Sequence, residues 1–443
     1  MNKNMVYNID STKSILNIIS FNKLYLLCLF LTPINISLPG LTLSLGDFII
    51  VPLVICILFQ LSKGVRIDKH KKEILLKVLA FFFILLVIII LSMTNYLFVD
   101  FPLNKPMIEV FKITIALLYG VVFAFYFAQI KTADGYIKFL KVSFYGTMIV
   151  SITCIIGVIL YRLGIETTWV QNGFRGTGVM HDPNITSIYL TTQIALMAIY
   201  YAITKSKKVM VGIIIAIIAI LSTASKAAIL VLAINIIILF LLLFIIGRVK
   251  LGGKLLFILI ISFIVLVVIA NNTQLLEGIL LRLNEFRSGD ASQVTTGRTD
   301  LWRFALALSI QPNNFFTGIG YGAFRYYILG QSVPSYLSGI TLVHNTFISF
   351  LTETGIFSVF ILLSGMLTII FNNLFCILKK KSIFGIFLFW GVITVFIGLN
   401  EVNLQNNRLM YIFLVFSYFT LKEIKAAKKE LSLEILIGGN SKY

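Results

Sequence analysis

Residues 69–95 read KHKKEILLKVLAFFFILLVIIILSMTN. A basic block, Lys69 to Lys72, is followed from Ile74 by an apolar run in which Lys77 is the one charge. A helix needs about 20 such residues to cross the hydrocarbon core of a bilayer. Lysine and arginine beside its end mark the cytoplasmic side. The same unit repeats in both directions along the chain. It predicts about twelve spans, near 21–39, 45–62, 74–95, 107–128, 142–163, 183–203, 208–223, 226–247, 255–271, 345–378, 383–400 and 408–422. The expected fold class is all-α: a polytopic integral membrane protein forming a single membrane domain, with one large, partly helical external loop.

Composition agrees. The 443 residues are 58% hydrophobic and 12% charged, with mean hydropathy +0.97, outside the range of soluble globular chains. The start, Met1 to Lys23, is polar and basic. No small-residue cleavage site follows the first apolar run, so that run is expected to stay as an anchor. An even number of spans puts both termini, including a tail over 423–443, on the cytoplasmic side. Cys28, Cys56, Cys154 and Cys376 all lie in apolar runs, and none has metal-ligand spacing. They read as small buried residues.

Charge separates by side. Threaded this way, the cytoplasmic segments hold 24 of the 27 lysines, and the external ones hold 8 of the 10 arginines. The cytoplasmic segments carry 26 Lys and Arg against 7 Asp and Glu, which accounts for the whole net charge of +19. No basic patch is left to suggest nucleic acid. Lysine inside is the topology signal. Arginine outside has no topological cause, and its planar fork suits bidentate binding of phosphate. Short cytoplasmic loops leave no room for a nucleotide-driven domain.

Three external segments stand out: Leu163–Asp182, Glu401–Asn407 and Asn271–Val343, which has 73 residues. A loop that long is functional or disordered, and the aromatic content from Trp302 to Tyr327 favours order. In the first segment Arg175 lies between Gly173 and Gly176, so backbone and guanidinium can approach one anion. Asp182 and Pro183 suit a helix start. The plainer alternative is a turn with a snorkelling arginine. In the long loop Arg298 and Trp302 are four apart and can stack on one helix face. Arg287 precedes them and Arg303 follows; an interfacial helix meeting lipid phosphates is the alternative.

Gly318-Ile319-Gly320-Tyr321-Gly322 lacks the preceding strand of a nucleotide loop. It reads as a flexible turn that lets Arg325 reach inward. His344-Asn345 opens the long run 345–378. A helix N-terminus disfavours imidazolium, which keeps a histidine neutral as a general base must be. Glu353 should then lie about 13 Å deeper in the same helix, free to pair with Lys226 or Arg408. Ser222–Lys226 reads as a tight external turn carrying one of three external lysines.

Taken together, these residues resemble the O-antigen ligase and polymerase superfamily, multispanning glycosyltransferases that act on undecaprenyl-pyrophosphate-linked sugars. The resemblance is best over residues 171–358. It rests on His344-Asn345 with Gly355 ten residues after Asn345, on Gly297 to Trp302, on Gly318-Ile319-Gly320, on Asp182-Pro183-Asn184 and on Ser225-Lys226. It departs at Ser358, where ligases more often carry Gly, Thr or Tyr, and at Lys226, where Arg is usual. The resemblance implies catalytic roles for His344 as base and for Arg175 and Arg298 on the pyrophosphate. Arg303, Arg287, Arg325, Lys226, Asn345 and Trp302 would line the substrate site. It implies inversion at the anomeric carbon, no metal and no cofactor.

The implied partners are the lipid-linked oligosaccharide as donor and acceptor, membrane lipid, and the chain-length regulator and flippase of the same pathway. The implied location is the bacterial cytoplasmic membrane, with the site on the periplasmic or external face. A polymerase of O-antigen, capsule or exopolysaccharide is the expected function, and a ligase to lipid A-core or another acceptor is the second. A transporter without chemistry is the competing class. It predicts midplane ionisable residues and near-equal halves, whereas here the ionisable residues gather in external loops.

Overall fold

A chain in hydrocarbon must satisfy its own backbone N–H and C=O groups, so long apolar runs become helices. The computed structural model describes residues 21–38, 41–98, 102–172, 174–247, 298–329, 343–403 and 407–426. Its helices are α1 (Phe21–Leu31), α2 (Asp47–Ser62), α3 (Lys69–Ser92), α4 (Asn104–Gln129), α5 (Ala133–Arg162), α6 (Pro183–Thr204), α7 (Lys207–Ser222), α8 (Lys226–Ile245), α9 (Arg298–Ser309), α10 (Phe324–Leu329), α11 (Thr346–Thr354), α12 (Ile356–Lys380), α13 (Ile383–Glu401) and α14 (Arg408–Ala426). Two antiparallel ribbons interrupt them, Asn35–Leu38 (β1) with Leu41–Ser44 (β2), and Val170–Gln171 (β3) with Arg175–Gly176 (β4).

Local chemistry sets the helix starts. Asp68 caps α3 by accepting the His70 N–H at 2.9 Å, the preferred role for a short acidic side chain at that position. Pro183 occupies the first turn of α6, and Lys379 and Lys380 close α12. Large apolar side chains such as Phe83, Phe360 and Phe371 point outward and are exposed, a surface that lipid covers and water does not.

Seven helices among the described residues are long and apolar enough to cross a membrane: α3 (with the turn that extends it to Phe98), α4, α5, α6, α8, α12 and α13. The protein is an all-α integral membrane protein. The expected figure of about twelve spans is not reached among these residues. Helices α2 and α7 have 16 residues each, about 24 Å at the usual rise. The run 255–271 lies outside the described residues, as do Arg287 and most of the long external loop.

Helix α4 runs through the core, packed against α2, α3 and α14, while α6 packs against α5, α7 and α13. Phe127 of α4 meets Phe139 of α5 at 5.0 Å and Phe416 of α14 at 5.5 Å between ring centroids. The start of α2 is tied to the start of α14 by a buried two-pronged ion pair. Arg408 Nε and Nη2 donate to Asp47 Oδ1 and Oδ2 at 2.8 and 2.6 Å.

One predicted span is broken. The run 345–378 was expected as a single helix, but it divides at Gly355, whose φ is +80°. A Cβ there would fall 2.1 Å from the Phe316 carbonyl oxygen. The Ile356 N–H donates to Phe315 O at 3.0 Å, and Thr352 O receives the Ile319 N–H at 2.9 Å. The glycine turn before α10 thus takes over the bonds that a continuous helix would make.

Candidate active site

Three helices begin close to one another. Asp182 Oδ1 caps α6 by accepting the N–H groups of Asn184 and Ile185, both at 2.8 Å. Ser225 caps α8 through the Ala228 N–H, and Asn345 Oδ1 caps α11 through the Ile348 N–H at 3.0 Å. Asn184 joins the first two: its Oδ1 accepts from Ser225 Oγ at 3.1 Å and from Arg175 Nη2 at 2.8 Å. Arg175 Nε donates to Thr223 O at 3.3 Å. The short ribbon pairs Gln171 with Arg175 and aims the arginine at this junction, where it is 9% exposed. Helix N-termini present partial positive charge and unbonded N–H groups, so with Arg175 the junction favours an anion.

His344 stands just before α11, half-buried, with φ +55°. A left-handed backbone is uncommon for a residue with a side chain and marks a constrained position. Burial holds its imidazole below the ordinary histidine range; the Arg298 charge lowers it further and the Asp182 carboxylate opposes both. The ring is therefore neutral at neutral pH. The expected direction holds, with burial and Arg298 as the causes where the helix dipole was the expected one. Arg298 and Asp182 both act on His344, and Asp182 borders Asn184 and Arg175. Residues from four separate motifs thus meet.

Other candidates fall around this cluster. The Trp302 indole N–H donates to Val343 O at 2.9 Å, which pins the residue before His344. Asn345 uses its carbonyl as a cap. Lys226 opens α8, and its side chain lies outside the described residues. Arg303 faces outward, 79% exposed and 3.7 Å from Asp300. Arg325 stacks over the Tyr326 ring at 5.7 Å.

The glycine turn is not a flexible tether for Arg325. Gly318, Gly320 and Gly322 all have positive φ, and a Cβ on Gly318 would lie 2.2 Å from the Glu353 backbone. The Gly320 N–H donates to Glu353 O at 3.0 Å, and Asn95 Nδ2 donates to Gly318 O at 2.7 Å. Glu353 does not pair with Arg408, and the side chain of Lys226, the other expected cation, lies outside the described residues. Glu353 is buried, accepting from the Phe324 N–H at 3.3 Å and from Ser349 Oγ at 3.4 Å, while Arg408 is held by Asp47.

Residues 211–363 match the family profile described as O-antigen ligase. The chain carries an O-antigen ligase-family domain. A comparison with curated proteins finds no match. The O-antigen ligase-family stretch includes Ser225, Arg298, the glycine turn, His344 and Gly355, but ends short of Arg175, Asp182 and Asn184. Those three complete the cluster from outside it. Asn184 was legible only as part of a helix start; its bridging of Arg175 and Ser225 is 41 residues long-range and has no local signature.

Proposed function

We propose that this O-antigen ligase-family protein transfers a glycan from an undecaprenyl-pyrophosphate-linked oligosaccharide at the external membrane face, joining repeat units into a surface polysaccharide. The supporting observation is the neutral, half-buried His344 beside Arg298, at a junction of helix N-termini. His344 takes the proton of an acceptor sugar hydroxyl. The hydroxyl oxygen attacks the anomeric carbon and inverts it. The bond from that carbon to the pyrophosphate oxygen breaks, and the electron pair leaves with the carrier lipid. Arg298 and Arg175 stabilise the charge growing on the pyrophosphate. The activated donor supplies the driving force, so neither nucleotide nor metal is needed.

The family description favours a second reading, ligation of a finished glycan to lipid A-core or another acceptor. Both use the same donor and the same bond. In either case the protein lies in the cytoplasmic membrane with lysine-rich ends and both termini inside. The test is a gel of surface and lipid-linked glycans from a deletion strain. Collapse of the ladder to one attached repeat unit supports polymerisation. Loss of all attached glycan, with long chains on the carrier, supports ligation. An unchanged glycan pattern would remove both.

A further inference from the structure

A groove of about 450 Å³ lies between α3, α12 and α14. None of the residues clustered around His344 lines it. Lys422, at its mouth, is fourteen residues along α14 from Arg408, about 21 Å at the helical rise. The groove exists because α12 offers small residues there. Ser364 and Thr368 are exposed on it, and a Cβ on Gly365 would lie 2.6 Å from the Phe81 ring. Phe81, Ile369 and Leu414 make its wall apolar.

The mouth has different chemistry. A second cavity of about 230 Å³ continues the groove past Lys77, Tyr418 and Lys422 to His70, Glu73 and Lys425. Three lysines thus face one glutamate. Two of them are held in place. Lys422 Nζ donates to Asn372 Oδ1 at 3.3 Å and sits 5.2 Å over the Tyr418 ring, and Lys425 sits 4.7 Å over the Phe375 ring. An apolar slot leading to a fixed cationic rim matches a molecule with an acyl chain and a negative headgroup. Basic pockets between membrane helices bind such headgroups. A zwitterionic lipid offers these lysines no net charge.

We propose that the groove is a binding site for an anionic glycerophospholipid, one acyl chain along Phe81 and Leu414 and the headgroup phosphate between Lys77 and Lys422. This site is separate from glycan transfer and does not depend on it.

Native mass spectrometry of the full-length protein in detergent, titrated with phosphatidylglycerol or phosphatidylcholine, tests this. Phosphatidylglycerol is expected to bind about tenfold more tightly. Lys77→Glu with Lys422→Glu removes that preference, while Lys207→Glu with Lys208→Glu, at the start of α7, keeps it. Ser364→Trp fills the slot without touching charge and weakens phosphatidylglycerol as well, which covers the case that the charge-reversed protein fails to fold. Equal binding of the two lipids to the wild type, or a preference that survives both groove variants, would overturn the site. Displacement of phosphatidylglycerol by polyprenyl phosphate at a lower concentration than phosphatidylglycerol itself requires would overturn the choice of occupant.

Discussion

The two ends of the nine-residue helix α11 are built on opposite principles. At its start, His344 holds a left-handed backbone without being glycine, keeps an ionisable ring half-exposed, and sits in the field of Arg298 and Asp182. At its end, glycines take every positive φ, and the Glu353 carboxylate is closed in by backbone N–H and Ser349. One end retains unused chemistry and the other satisfies its own. A base must be placed to within fractions of an ångström to work. The locked end supplies that placement by fixing the short helix on which His344 is mounted.

The contrast can be broken by mutation. The largest effect is expected from His344→Ala: a fall of about 10²–10⁴ in transfer rate in membrane vesicles given lipid-linked substrate, with unchanged thermal stability. A wild-type rate would remove His344 as the base. Next is Gly355→Ala, which forces a side chain into a positive-φ site against Phe316 and should cost about 1–3 kcal/mol, read as a lower melting temperature in detergent. An unshifted melting curve would mean the break is not held by the glycine turn.

Smaller effects sharpen the electrostatics of the active end. His344 works as the neutral ring, so rate falls as pH drops through its lowered pKa. Arg298→Gln removes a charge that depresses that pKa, so the acid limb of the rate profile should move to higher pH. Asp182→Asn keeps a capping side chain but removes the opposing charge, and the limb should move to lower pH. Shifts in the same direction for both variants would contradict the arrangement. The smallest effect is expected from Glu353→Gln, whose rate per folded molecule should stay near wild type. A dead but folded variant would show that the closed end is chemical after all.

Much of the fold was legible because the bilayer imposes a length on every crossing helix. The runs behind α3, α4, α5 and α6 are set by that rule alone. The break at Gly355 was not, since Thr352-Glu353-Thr354-Gly355 interrupts the apolar run 345–378 for only about one turn. What stops the helix is a turn more than thirty residues earlier, whose glycines were seen but not their docking surface. In the site, His344, Arg298 and Arg175 could be named from residue type and position. Their mutual distances could not, because Asp182 and Asn184 reach them across the fold. Arg303 was expected to line the substrate site behind Arg298, and its side chain faces outward.

The ion pair between Asp47 and Arg408 spans 361 residues of sequence. Synthesis runs at about 5–20 residues per second, so the carboxylate emerges roughly 20–70 s before the guanidinium that will meet it. Through that interval Asp47 has only the Ser44 N–H, 2.9 Å away in the finished fold, from its own neighbourhood. The β1–β2 hairpin therefore cannot reach its final seating until α14 is made. Assembly of the bundle closes in a ring, and release of α14 from the ribosome sets its timing.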